Sequence, residues 1–109
     1  MFIYKRCDCK ECKITKEFPD SRVKPVASLL KLVSAPSRLN ILLLLKQSPH
    51  CVCDIEAHTQ LSQTLISHHL ADLVKADLVV SKKDGKFIEY SLTQKGEGFA
   101  AILIKLFQK

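Results

Sequence analysis

The sequence has no apolar run near the roughly 20 residues that a membrane-spanning helix needs. Its most apolar stretch, Leu39 to Leu45 (LNILLLL), fits a buried helix instead. The opening, MFIYKRCDCKECK, has neither a long apolar core nor a small-residue cleavage site. A secretory signal is therefore not expected, and a cytoplasmic location is. Internal repeats and low-complexity tracts are absent too. Acidic residues are scarce: 11 Asp and Glu stand against 17 Lys and Arg, leaving a net charge of +6. Two copies together double that charge, which favours an anionic partner, either nucleic acid or a membrane surface. Cysteine is missing from all but two short stretches. The five are Cys7, Cys9 and Cys12, and then Cys51 and Cys53. An odd number in a reducing compartment points to metal ligands or redox-active thiols, not a disulfide framework.

What is present suits one compact domain: 109 residues, of which 47% are apolar. Residues 1–20 carry CDCKEC, alternating charges and Pro19 without sustained periodicity, and are read as a cysteine-containing N-terminal arm. Residues 21–109 are read as the folded domain. Val26, Leu29, Leu30 and Val33 repeat at helical spacing, which predicts a first helix over 24–33. Ser34-Ala35-Pro36 interrupts it. A second helix over 37–47 is apolar on nearly all sides after Asn40, as a central helix is. Ser48 as a cap and Pro49 in the first turn predict a third helix to about His58. Thr59-Gln60-Leu61 makes the turn into a fourth helix over 62–75, with Ile66, Leu70 and Leu73 on its apolar face. Leu78 to Ser81 and Phe87 to Leu92 flank Lys82-Lys83-Asp84-Gly85-Lys86, a hairpin signal centred on Asp-Gly. Thr93 is placed to cap a last helix over 94–109, whose apolar face holds Phe99, Ile102, Leu103, Leu106 and Phe107. The expected fold is mainly α with a small β-hairpin: a winged helix-turn-helix. The first and last helices carry more apolar surface than a small domain covers, which points to a homodimer through both.

A recognition helix presents its first turns to base edges in the major groove. The outward positions here are Ser62, Gln63, Thr64, Ser67 and His68, with Leu65 near enough to meet a thymine methyl group. Gln bonds an adenine edge in bidentate fashion, and Ser or Thr bonds bases or phosphates. His68 is as plausibly a solvated side chain as a DNA contact. His69, beside the apolar stripe, reads better as a half-buried histidine bonded to the backbone. Lys82, Lys83 and Lys86 would form a wing that grips phosphate without reading sequence, though basic turns are common.

Residues two apart in a regular helix point about 200° apart, so Cys51 and Cys53 can share an ion only where the helix is not yet regular. The start just after Pro49 is such a place. A helix N-terminus also lowers thiol pKa, favouring the thiolate. Two thiolates are too few for a tight soft-metal site, and only the arm has more. Its Cys7, Cys9 and Cys12 make a composite site the economical reading. His50 and Asp54 flank the pair, as ligands, as groups supporting ligands, or, for Asp54, simply as an acid of the first helical turn.

LVSAPSRLNILLLL, CVCD, LSQTLISHHLADL and KKDGKFIEYSLT together resemble the ArsR/SmtB family of winged-helix metal-sensing repressors, over about Leu29 to Gly96. The resemblance implies a homodimer that binds double-stranded operator DNA without metal and releases it on binding metal. Within the family the chain is most similar to the cadmium- and lead-sensing CadC type. There, arm cysteines of one subunit join the CVC pair of the other. Carried over, Cys51 and Cys53 match the metal box, and Cys7 with one or both of Cys9 and Cys12 would be the arm ligands. Ser62, Gln63, Ser67 and His69 match the recognition-helix pattern, whereas Leu65 stands where the family often has Thr. A second family site uses carboxylates and histidines of the last helix. This last helix has only Glu97, so no metal site is expected there.

The function expected is a metal-responsive repressor whose effector is a thiophilic ion: cadmium, lead or zinc, with arsenite or bismuth as trithiolate options. No enzymatic activity, membrane partner or small-molecule substrate is expected. The alternative is a thiol redox or persulfide-sensing repressor of the same fold. A structural zinc site in a nucleic-acid-binding module is a further reading. A thiol oxidoreductase built on Cys9-Lys10-Glu11-Cys12 lacks the βαβ setting such a motif needs.

Overall fold

The structure, a computed structural model, describes residues 18–107. The elements are α1 (Asp20–Leu32), α2 (Pro36–Gln47), β1 (His50–Cys51), α3 (Val52–Thr59), α4 (Gln63–Lys75), β2 (Val79–Asp84), β3 (Phe87–Leu92) and α5 (Gln94–Ile104). A turn of 3-10 helix over Lys105–Phe107 follows α5. This is a winged helix-turn-helix, with α3 and α4 as the helix pair and β2–β3 as the wing. No single helix among the described residues is long and apolar enough to cross a membrane.

The core forms where the apolar stripes converge. Central helix α2 contributes Ile41, Leu42 and Leu45, α3 contributes Ile55, and α4 contributes Ile66, Leu70 and Leu73. Leu78, Val79, Ala100 and Leu103 close it from the sheet and α5. Pro36 occupies the first turn of α2, where its missing N–H costs nothing. Thr93 caps α5 by accepting from the Gly96 N–H at 2.9 Å. Gly96 is required: a Cβ there would run into the carbonyl of Leu78, so only glycine lets α5 lie this close to the start of the wing.

Three expectations need correction. Helix α1 starts at Asp20, earlier than predicted, with Pro25 inside it and none of its residues buried. Of the predicted stripe, Leu29 packs at the edge of the core and Val33 is buried, but Val26 and Leu30 stay 53% and 49% exposed. Ser48-Pro49 does not begin a helix. The chain stays extended, and His50–Cys51 pairs antiparallel with β3, making a three-stranded sheet in the order β1-β3-β2. A two-residue strand is too short for alternation to reveal it in sequence. Finally, the wing's two-residue turn is Gly85-Lys86, not Asp84-Gly85, since Asp84 pairs with Phe87. Gly85 has φ +62° and Lys86 is not left-handed, the pattern of a type II′ turn with glycine first.

Candidate nucleic-acid interface and metal centre

The extended β1 decides the geometry of the cysteine pair. Cys51 is the N-cap of α3, with extended backbone, and Cys53 lies inside the first turn. The pair therefore escapes the opposed arrangement of a regular helix, and the two Sγ atoms are 2.8 Å apart. Asp54 sits in the same turn, where its carboxylate accepts from the Cys51 backbone N–H. That reach from the third helical residue back to the cap is the acid's half of a capping box. His50 places Nδ1 3.5 Å from Asp54 Oδ2, and its Nε2 lies 3.3 Å from Ser48 Oγ. The bond to the Cys51 N–H and the neighbouring His50 hold the Asp54 carboxyl below its ordinary range.

One thiol behaves contrary to expectation. The Cys53 thiol is pushed up, not down, by its hydrogen bond with Cys51, by desolvation and by the Asp54 charge. The helix start does favour the thiolate, but these neighbours outweigh it.

The donor set suits a soft or borderline cation. Ligand atoms of Cys51, Cys53 and Asp54 all lie within 4.8 Å of one another. With zinc–sulfur bonds of roughly 2.3 Å, the sulfurs need to spread by only about an ångström to reach tetrahedral separation. Among the described residues this is the one cluster of that kind found. Cys7, Cys9 and Cys12, the expected remaining ligands, lie outside the described residues.

The same pair lines a cleft. Cys51, Val52 and Cys53 form one wall, Gln63 and Ser67 of α4 another, and Lys86, Phe87, Ile88 and Tyr90 of the wing a third. Along α4, Gln63, Thr64, Ser67, His68 and Ala71 line a second, shallow open concavity. Four predicted reading residues thus share one surface, and Gln63 and Ser67 face both hollows. Ser62 is set apart by its role as N-cap of α4, its Oγ accepting from the Leu65 N–H at 3.1 Å. Leu65 is 40% exposed. Gln63 is tied back to α3, its Nε2 donating to Glu56 Oε1 at 3.4 Å.

The wing lysines are not equivalent. Lys82 and Lys83 are successive residues of β2, paired with Glu89 and Ile88 respectively, so their side chains leave opposite faces. Of the three lysines expected to grip phosphate, Lys86 lies in the turn and Lys82 and Lys83 lie in β2.

His69 is buried, but its Nδ1 has no hydrogen-bond partner among the described residues, in place of the backbone bond expected. Burial, with the Arg38 charge nearby, pushes its pKa down. Sequence reasoning missed three features. They are the β1–β3 pairing, the Glu56 contact to Gln63, and the Arg38 Nη1 to Asp72 Oδ2 ion pair at 3.4 Å that ties α2 to α4. No spacing rule links Glu56 or Asp72 to its partner, so neither contact leaves a local signal in the sequence.

Residues 35–81 match the model of the bacterial regulatory protein, arsR family. The chain is 44% identical over 69 residues to an arsenical resistance operon repressor of Staphylococcus xylosus, a match covering 63% of this chain and 66% of that protein. It is 39% identical over 66 residues to the cadmium resistance transcriptional regulatory protein CadC of Listeria innocua, covering 60% of this chain and 56% of that one. Among solved structures it is similar to HlyU from Vibrio cholerae N16961, with a TM-score of 0.76, 26% identity, and coverage of 84% of this chain and 100% of the other. The motifs, the winged fold and these likenesses agree: the chain belongs to the arsR family of bacterial regulatory proteins.

Proposed function

We propose that this protein is a metal-responsive transcriptional repressor of the cytoplasm, which binds double-stranded operator DNA as a homodimer and releases it on taking up a thiophilic metal ion. The observation that carries this reading is the shared cleft: Cys51 and Cys53 line the same hollow as Gln63 and Ser67 of the reading helix and Lys86 of the wing. Effector and operator sites that meet in one cleft cannot be filled independently.

Each group has a task. Gln63, Thr64, Ser67 and His68 meet base edges and sugar-phosphate in the major groove, and Lys86 meets phosphate. Exposed Val26 and Leu30 of α1, with Ile102 of α5 and Leu106 of the 3-10 turn after it, supply the apolar surface for dimerisation. Cys51 and Cys53 provide two thiolates, and Asp54 lies within reach as an oxygen donor. Cys7, with one or both of Cys9 and Cys12, completes the set from the arm of the partner subunit. A soft ion supplies the electrophilic centre that makes three or four thiolates converge. An ion held at Cys51 and Cys53 would sit in the cleft that Gln63 and Lys86 also line, and beside β1, which pairs with β3 of the wing. A coupling of about 1–3 kcal/mol would weaken operator binding by about 5–150-fold.

The relatives' names, arsenical and cadmium resistance, favour metal over disulfide or persulfide sensing as the signal. The test is a titration of cadmium or arsenite into the protein–operator complex at fixed salt. Operator affinity should fall as metal is added. Unchanged affinity would refute the regulatory reading, and a Cys51→Ser variant that still responds fully would refute the site.

A further inference from the structure

We infer that Glu56 is a positioning residue for base reading: it holds the Gln63 amide in the orientation that recognises adenine. The inference rests on the protein being an operator-binding repressor. Gln63 is the first residue of α4, where a recognition helix meets base edges. Its Nε2 donates to Glu56 Oε1 at 3.4 Å. A carboxylate offers only acceptors, so the amide nitrogen must be the atom that faces it, and the amide's orientation follows.

Glu56 is itself held in place. Its backbone carbonyl accepts from the Gln60 N–H at 2.8 Å, and Gln60, at φ 62°, turns the chain there. Thr59 Oγ1 donates to the Ile55 carbonyl at 2.7 Å and accepts from the Leu61 N–H at 3.2 Å. The turn between α3 and α4 is thus bonded on both sides of Gln60, which fixes the Glu56 backbone relative to the start of α4.

A glutamine reads adenine by donating to N7 and accepting from N6. That pairing uses Oε1 and one of the two Nε2 hydrogens. Glu56 takes the other hydrogen, so the reading edge stays free while rotation of the amide is restrained. A donor bonded to a carboxylate is also more strongly polarised. A restrained amide presents adenine's complement in advance, whereas a free one spreads its contacts over other bases.

The experiment uses the full chain without metal. Operator DNA is selected from a random-sequence pool by the wild-type protein, then changed one base pair at a time. Wild type should prefer adenine by about tenfold at one position per half-site. Gln63→Ala should flatten that preference, and Glu56→Ala should flatten it to a similar degree. Glu56→Gln keeps an acceptor oxygen and should restore it. In a Gln63→Ala background, Glu56→Ala should change nothing further at that position. Unfolding temperature and the salt dependence of binding to a random duplex identify any general damage. A Glu56→Ala protein that keeps its adenine preference, or weakens on every sequence alike, overturns the inference. Failure of the wild type to select any sequence overturns the repressor reading beneath it.

Discussion

Cys51 lies directly opposite Glu89 in the antiparallel register of β1 and β3, next to His50 opposite Tyr90. Cys51 is therefore tied through its backbone to the return strand of the wing, and it is also the N-cap of α3, the helix before α4. Cys51→Ser or Cys53→Ser should raise the metal concentration for half-release of operator by more than about tenfold, since losing even a supporting group costs that much. Operator affinity without metal should stay within about twofold of wild type. Fluorescence anisotropy of labelled operator, with and without cadmium, measures both quantities.

The wing offers one lysine in its turn and two on opposite strand faces. Lys86→Ala should weaken operator and random duplex alike and reduce the slope of log affinity against log salt by about one. Of Lys82→Ala and Lys83→Ala, no more than one should do the same, because a single DNA backbone passes only one face of a two-stranded ribbon. Binding isotherms at several salt concentrations decide it.

His69 introduces a pH dependence of stability whose sign is fixed. Burial lowers its folded pKa below the ordinary 6.5, with the Arg38 charge adding to the shift. Below that ordinary value the unfolded chain binds the proton and the folded one resists it, so stability falls as pH drops through 6.5 toward the folded pKa. Asp72, which favours the protonated form, and His68, which opposes it, face the same group. Urea unfolding between pH 7.5 and 5 should show this slope, and His69→Gln should lose it.

The proposed dimer should fail to form when charge enters the exposed apolar faces. Val26 is 53% and Ile102 64% exposed, so Val26→Glu and Ile102→Glu leave the monomer's core untouched. Each variant should sediment as a monomer with unchanged helix content. Each should lose operator affinity by well over about tenfold, because two half-sites are no longer bound together. A Val26→Glu, Ile102→Glu double variant that remains dimeric would exclude these faces.

Gly96→Ala should destabilise the fold by about 1–3 kcal/mol, as overpacking does. The new methyl meets the Leu78 carbonyl, a backbone atom that cannot swing aside. Thermal unfolding reads the loss directly.

The sequence by itself determined the five helices, the wing hairpin and the resemblance to the family. Stripes such as Ile66, Leu70 and Leu73 are local patterns, and local periodicity survives in one dimension. It also marked Cys51 and Cys53 as a pair that only an irregular helix start can bring together, and the structure has that start, with Cys51 as the cap. What it did not reveal depends on partners distant along the chain. The two-residue β1 is defined only by its bonds to β3. Lys82 and Lys83 part company only once the register is set. Glu56 meets Gln63 only because Gln60 turns the chain between them. Packing also decided the ionisation of the candidate site: a thiol expected to be acidified by a helix start is raised instead, because Cys51 and Asp54 stand closer to Cys53 than sequence alone can specify.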